Sequence, residues 1–178
     1  MGEDITVFFR LFIEIYIVMD FFGKPAIHPL FFYSGKIAGY IVWAIYILIH
    51  AGVYVFEMEV FYNVALISHL LAGIASVIIF FSLLHLGRST RFGLSSDNTA
   101  FKTKGLYRFS RNPMYLAFYL FTIACILYLP NLLMIILGMY SIVIYHLIIL
   151  KEEKYLEARF GEEYITYKTK TRRYIWLP

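Results

Sequence analysis

The chain contains a single cysteine and five prolines, and charged side chains occupy only 16% of its positions. One thiol excludes a disulfide framework within the chain and any multi-cysteine metal centre, so Cys125 reads as a small apolar core residue. Charge this sparse, against 61% hydrophobic and 20% aromatic residues, excludes an ordinary soluble globule, whose apolar residues alternate with polar ones. Also missing are a glycine-rich phosphate loop, a Ser/His/Asp set, an HExxH pair and paired-Cys spacing. The histidines at 28, 50, 69, 85 and 146 show no ligand spacing, and no metal is expected.

What is present is a set of five apolar runs, at 6–22, 37–56, 61–86, 113–129 and 132–150. A helix crossing ~30 Å of hydrocarbon needs roughly 20 residues, with a range of about 17–25. The expectation is therefore an all-α polytopic membrane protein, a single domain over 1–178 with five transmembrane helices. The first run is not read as a cleaved signal: its flank is acidic (Glu3, Asp4), and Arg10 and Glu14 lie inside it at helical i,i+4 spacing. Pro130-Asn131 between the last two runs has turn chemistry, so these two should form a short helical hairpin.

The charge of +4 matters less than where it sits. Thirteen of the sixteen Lys and Arg residues fall in the 87–112 connection or in the 151–178 tail. Lys24 and Lys36 fall in the first connection, and Glu57 and Glu59 in the second. With five spans, the basic segments share one side, which the positive-inside bias makes cytoplasmic, with the N-terminus outside. Basic residues flanking apolar runs point to membrane lipid headgroups as partners, and nothing resembles a nucleic-acid surface.

Two polar strips thus meet the same face. Residues 105–115 read Gly-Leu-Tyr-Arg-Phe-Ser-Arg-Asn-Pro-Met-Tyr, and residues 151–164 carry Glu152, Glu153 and an amphipathic pattern. Leu156, Phe160, Tyr164 and Tyr167 recur at 3–4 residue spacing, and Gly161 is placed to break the tail into two short helices. His146 lies seven residues before Glu153 and shares its helix face. The 87–112 connection is long for a structureless loop, which favours a binding loop.

These strips resemble the C-terminal signature of isoprenylcysteine carboxyl methyltransferase and its prokaryotic relatives. The resemblance runs through Phe101-Lys102-Thr103-Lys104-Gly105-Leu106-Tyr107-Arg108, Arg111-Asn112-Pro113-Met114-Tyr115, Glu152-Glu153, Phe160-Gly161, Tyr164, Tyr167 and Arg172-Arg173. It implies an integral-membrane enzyme that uses S-adenosyl-L-methionine and releases S-adenosyl-L-homocysteine. By position, Phe101, Lys102, Tyr107, Asn112, Pro113, Met114, Tyr115 and Glu152 would hold the cofactor, and Arg111 and Glu153 would be catalytic. Asn112 stands where the family usually has His, and Trp176 where many relatives have Pro; Asn still hydrogen-bonds but cannot titrate.

The implied acceptor is the carboxylate of a C-terminal prenylcysteine, or another lipid-like molecule, entering from the bilayer. A carboxylate is already nucleophilic at neutral pH, so alignment and water exclusion would carry the catalysis. Phospholipid N-methyltransferases share the pattern but act on an amine, which must lose a proton. Sterol reductase-like proteins share part of it and would bind NADPH. The non-enzymatic reading is a small membrane scaffold with a degenerate pocket.

Overall fold

A computed structural model describes residues 25–53, 62–86 and 101–175. The expected first span at 6–22, with Arg10 and Glu14, lies outside the described residues, as do 87–100 of the long connection. Five α-helices occur among the described residues: α1 Pro29–His50, α2 Tyr62–Leu86, α3 Pro113–Tyr128, α4 Leu132–Phe160 and α5 Glu162–Lys170. A 3-10 turn at Gly105–Arg108 precedes α3. Helices α1, α2 and α4 are long and apolar enough to cross a membrane, whereas α3 is a shorter apolar helix.

Two expected boundaries need correction, and one expected span is shorter than a bilayer core. The run placed at 37–56 is a helix from Pro29, because Pro29 supplies the fixed φ of a first helical position and the His28 side chain accepts from the Leu30 amide. It stops at His50, where the chain turns through Gly52 at φ 82. Lys36 is consequently inside α1, buried with its Nζ 4.1 Å from the Phe32 ring centroid, not in a connection. The span expected at 113–129 has 16 helical residues, a rise of ~24 Å that falls short of the hydrocarbon thickness. Pro113 starts it, and Pro130 holds Leu129 out of helical geometry. The span expected to end at 150 continues as one helix to Phe160. Beyond Leu150 no glycine or proline occurs until Gly161, whose φ of 52 makes the expected break. The last turns of α4, past the apolar stretch, therefore project Glu152 and Glu153 beyond the bilayer's core.

The hairpin forms as its residues require. The Asn131 side chain accepts from the Leu133 amide at 2.9 Å and caps α4. Gly138 lets α3 and α4 come together: an added Cβ would stand 2.6 Å from Ile126 Cδ1. Helix α1 closes on α4 through Gly35 and Gly39, the small-xxx-small spacing by which membrane helices approach closely. Buried polar bonds then tie the layers: Trp43 Nε1 donates to Thr122 Oγ1 at 2.9 Å, and Ser68 Oγ donates to the Ala124 carbonyl at 2.8 Å. Around them pack Trp43, Tyr115, Phe118, Phe121 and Tyr145. At the far end of the bundle from Glu153, His50 and His69 meet through their Nε2 atoms at 2.8 Å beside Tyr128.

The α1–α4 contact is testable. An added Cβ at Gly35 would lie 2.4 Å from Ile144 Cβ, which cannot swing away, whereas at Gly39 it meets only the rotatable Ser141 Oγ at 2.5 Å. Gly35→Ala should destabilise the protein by about 1–3 kcal/mol, and Gly39→Ala by less. Thermal melts in detergent should show Gly35→Ala melting below Gly39→Ala, and both below the wild type.

Candidate active site

The basic and acidic strips meet at the end of the bundle where α3 begins and α4 runs past the apolar core. Glu153 is the focus. It is buried, 4% exposed, and receives hydrogen bonds from three side chains on two separate segments. Arg111 donates its Nε to Oε1 at 3.1 Å and its Nη2 to Oε2 at 3.2 Å, a bidentate pairing. Arg173 donates its Nε and Nη2 to Oε2 at 3.1 and 2.9 Å. Asn112 Nδ2 donates to Oε1 at 3.0 Å, and the Asn112 side chain makes no capping bond to α3.

The same residues strap the C-terminal segment onto the turn before α3. Arg111 Nη1 donates to the carbonyls of Lys168 and Thr171, and its backbone amide to the Arg172 carbonyl. Ser110 Oγ and Asn112 Nδ2 both donate to the Arg173 carbonyl. Burial pushes the Glu153 carboxyl upward, but hydrogen bonds from Arg173 and Arg111, and their charges, outweigh it and hold the group below the ordinary glutamate range. Glu153 is thus a permanent anion at neutral pH.

Glu152 points elsewhere, half-buried, and accepts from the Tyr115 hydroxyl at 3.0 Å. Tyr107 is buried in the 3-10 turn; desolvation, then the Tyr167 and Glu152 charges, push its hydroxyl well above its usual range. Its carbonyl accepts from the Tyr167 hydroxyl. Phe101 lies in an aromatic nest, with ring centroids 4.9 Å from Phe160, 5.4 Å from Tyr164 and 5.6 Å from Tyr167. Lys102 follows it, half-buried. Pro113 and Met114 are buried at the start of α3, beneath the polar layer. Gly105, at φ 65, lets the turn close over His85 of α2, where a Cβ would stand 2.3 Å from the ring.

Of the residues expected from sequence, the structure joins Arg111, Asn112 and Glu153 in one cluster and Tyr115 with Glu152 in another. Phe101 belongs to the tail's aromatic nest. His146 does not touch Glu153; its Nδ1 is bonded to the Tyr174 hydroxyl, which lies 3.5 Å from the Tyr119 hydroxyl. Arg173 entered the sequence reading only as part of the family signature, with no site role, and Tyr174 and Tyr119 were not singled out. The signal for Arg173 was the need of a buried carboxylate for cations; the tyrosines gave none among so many aromatics.

A family model described as phospholipid methyltransferase matches residues 64–163, from α2 through both polar strips to the start of α5. The chain belongs to the phospholipid methyltransferase family. It lies within the broader group of membrane methyltransferases that resemble isoprenylcysteine carboxyl methyltransferase. No curated protein matches the chain. Family and apolar helices together make it an integral membrane protein.

Removing one partner of a buried pair leaves the other charge uncompensated and costs about 3–5 kcal/mol. Glu153→Ala should show a loss of that size, because it strands Arg111, whose side chain is 9% exposed. A carboxyl held below its unfolded value contributes fully above pH ~4.3 and is lost as pH falls from there through its folded value. Melting temperatures between pH 7 and pH 3 should therefore fall more steeply in the wild type than in Glu153→Gln.

Proposed function

We propose that the protein transfers a methyl group from S-adenosylmethionine to the polar end of a lipid-like acceptor, at the cytoplasmic end of the bundle. The observation that carries this reading is the meeting of Glu152 with Tyr115 on a helix end that runs past the apolar core and reaches the Phe101 nest through Phe160. The residues suit the cofactor. A half-buried carboxylate can accept from its hydroxyl or amino groups, and aromatic faces suit its adenine. When bound, the cofactor supplies an electrophilic methyl group on a cationic sulfur. Glu152, Tyr115 and Tyr107 would orient it, with Phe101, Lys102 and Asn112 at the margins, and the strapped tail would exclude water. Pro113 and Met114 would act through the start of α3 that they fix.

Two acceptors fit this chemistry: the carboxylate of a prenylcysteine and the amine of a phospholipid. One observation favours the amine. Arg111, the natural holder of an acceptor carboxylate, is engaged by Glu153 and by the Lys168 and Thr171 carbonyls. Arg111 and Glu153 are then positioning residues that set the pocket's shape. The membrane supplies the acceptor's tail by partition, and the basic face favours the cytoplasmic leaflet.

Isothermal titration in detergent tests the cofactor site. S-adenosylhomocysteine should bind the wild type and lose at least about tenfold in affinity with Glu152→Ala, a charged hydrogen bond being worth ~1.5–3 kcal/mol; Tyr107→Ala should weaken it similarly. Binding that is absent in the wild type would leave the scaffold reading, and unchanged affinity in both variants would remove the assignment. Radiolabelled methyl transfer to phosphatidylethanolamine and to a prenylcysteine analogue, offered separately, decides between acceptors.

A further inference from the structure

Tyr115 and Tyr119 stand one turn apart on α3 and share a face. Tyr115 donates to Glu152, in the proposed cofactor site. Tyr119 lies 3.5 Å from Tyr174, whose hydroxyl is bonded to His146 Nδ1. A polar ladder therefore descends from the cofactor side toward the bilayer, and its lower rung ends on an imidazole. Tyr119, His146 and Tyr174 are all half-buried, while Ile123, Val143 and Leu147 nearby on the same two helices are exposed as lipid-facing residues are.

The bonds have one direction in which every hydroxyl is used. Tyr119 donates to Tyr174, Tyr174 donates to an unprotonated His146 Nδ1, and the Tyr119 oxygen is left to accept. This is the arrangement of a proton path, not of a cation site. An alkylammonium keeps its proton up to about pH 10, so an amine acceptor is almost wholly non-nucleophilic at pH 7. Histidine is the side chain that takes and releases protons near neutrality.

We propose that His146, through Tyr174 and Tyr119, receives the proton that an amine acceptor must lose before methylation. The proposal rests on the methyl-transfer reading and narrows its acceptor class to a primary or secondary lipid amine. The acceptor's N–H proton passes to a tyrosine oxygen as the hydroxyl protons shift along the chain. His146 becomes an imidazolium, and the positive charge moves from ammonium to ring. The freed nitrogen pair then forms the N–C bond while the C–S bond breaks. Its electrons stay on sulfur, giving a neutral thioether and a methylated ammonium. The imidazolium returns its proton to water. Tyr174 on the tail contacts His146, with Tyr119 on α3 beyond it; the charged groups nearest along the chain are Arg173, beside Tyr174, and Glu152 and Glu153, farther along the helix of His146. Glu153 is already paired with Arg173 and Arg111, so it offers no alternative base.

The test uses the full-length protein in lipid nanodiscs. With phosphatidylethanolamine as acceptor, His146→Gln and Tyr174→Phe should lower kcat about 100-fold or more at pH 7, the range of general-base catalysis. KM and S-adenosylhomocysteine affinity should stay unchanged, and the deficit should shrink as pH rises toward 10 and the amine deprotonates unaided. A prenylcysteine carboxylate, which loses no proton, should be indifferent to both substitutions. A second readout needs no cofactor: in 15N-histidine spectra, His146 should carry its proton on Nε2 and shift on Tyr174→Phe. Wild-type-like rates, a deficit equal at every pH, or a proton on Nδ1 at neutral pH would each overturn the proposal while leaving methyl transfer standing. A wild type that methylates only the carboxylate also overturns it. A wild type that neither binds the cofactor product nor transfers methyl removes both readings together.

Discussion

The Glu153 carboxylate is the point on which the polar end of the molecule depends. Three strands of chain converge on it: the turn before α3 through Arg111 and Asn112, the tail through Arg173, and α4, which carries it. Burying one anion is costly, and two guanidiniums with an amide return that cost only while all three segments keep their places. The network therefore behaves as a latch. It fixes the direction in which Glu152, the next residue, faces Tyr115.

The helices serve this latch by delivering its parts at the right depth. Helix α4 is longer than a bilayer core requires, so its charged turns stand clear of hydrocarbon. Helix α3 is too short to span and starts at the polar layer itself. Glycines on α1 and α4 allow the close approach that locks both against the rest. A water-soluble cofactor and a lipid-borne acceptor would need a site at such a boundary, and the hairpin brings the candidate residues Tyr115 and Glu152 together there.

Much of this was legible in the sequence, for identifiable reasons. Long apolar runs bounded by charge can only be membrane-embedded helices, and Pro130-Asn131 and Gly161 marked real turns. The convergence of residues 111–115 with 152–153 followed from charge placement and the hairpin. Other features were not legible. The early start of α1 hid behind the mixed residues Pro29–Lys36, whose apolar content looked like a connection. That Arg111 would turn inward on Glu153 depended on the path of the tail, and no local pattern reveals that path. The linkage of His146 to Tyr174 instead of Glu153 has the same origin, because shared helix face says nothing about which segment folds over it.

The central claim is that these two strips form one binding surface for the methyl donor. Photocrosslinking with an azido-adenosine analogue of S-adenosylhomocysteine, followed by peptide mapping, tests it directly. The account predicts labels within residues 101–115 and 152–167, suppressed by unlabelled S-adenosylhomocysteine. Suppressible labelling confined to the opposite end of the bundle, around His50, His69 and Tyr128, would contradict it.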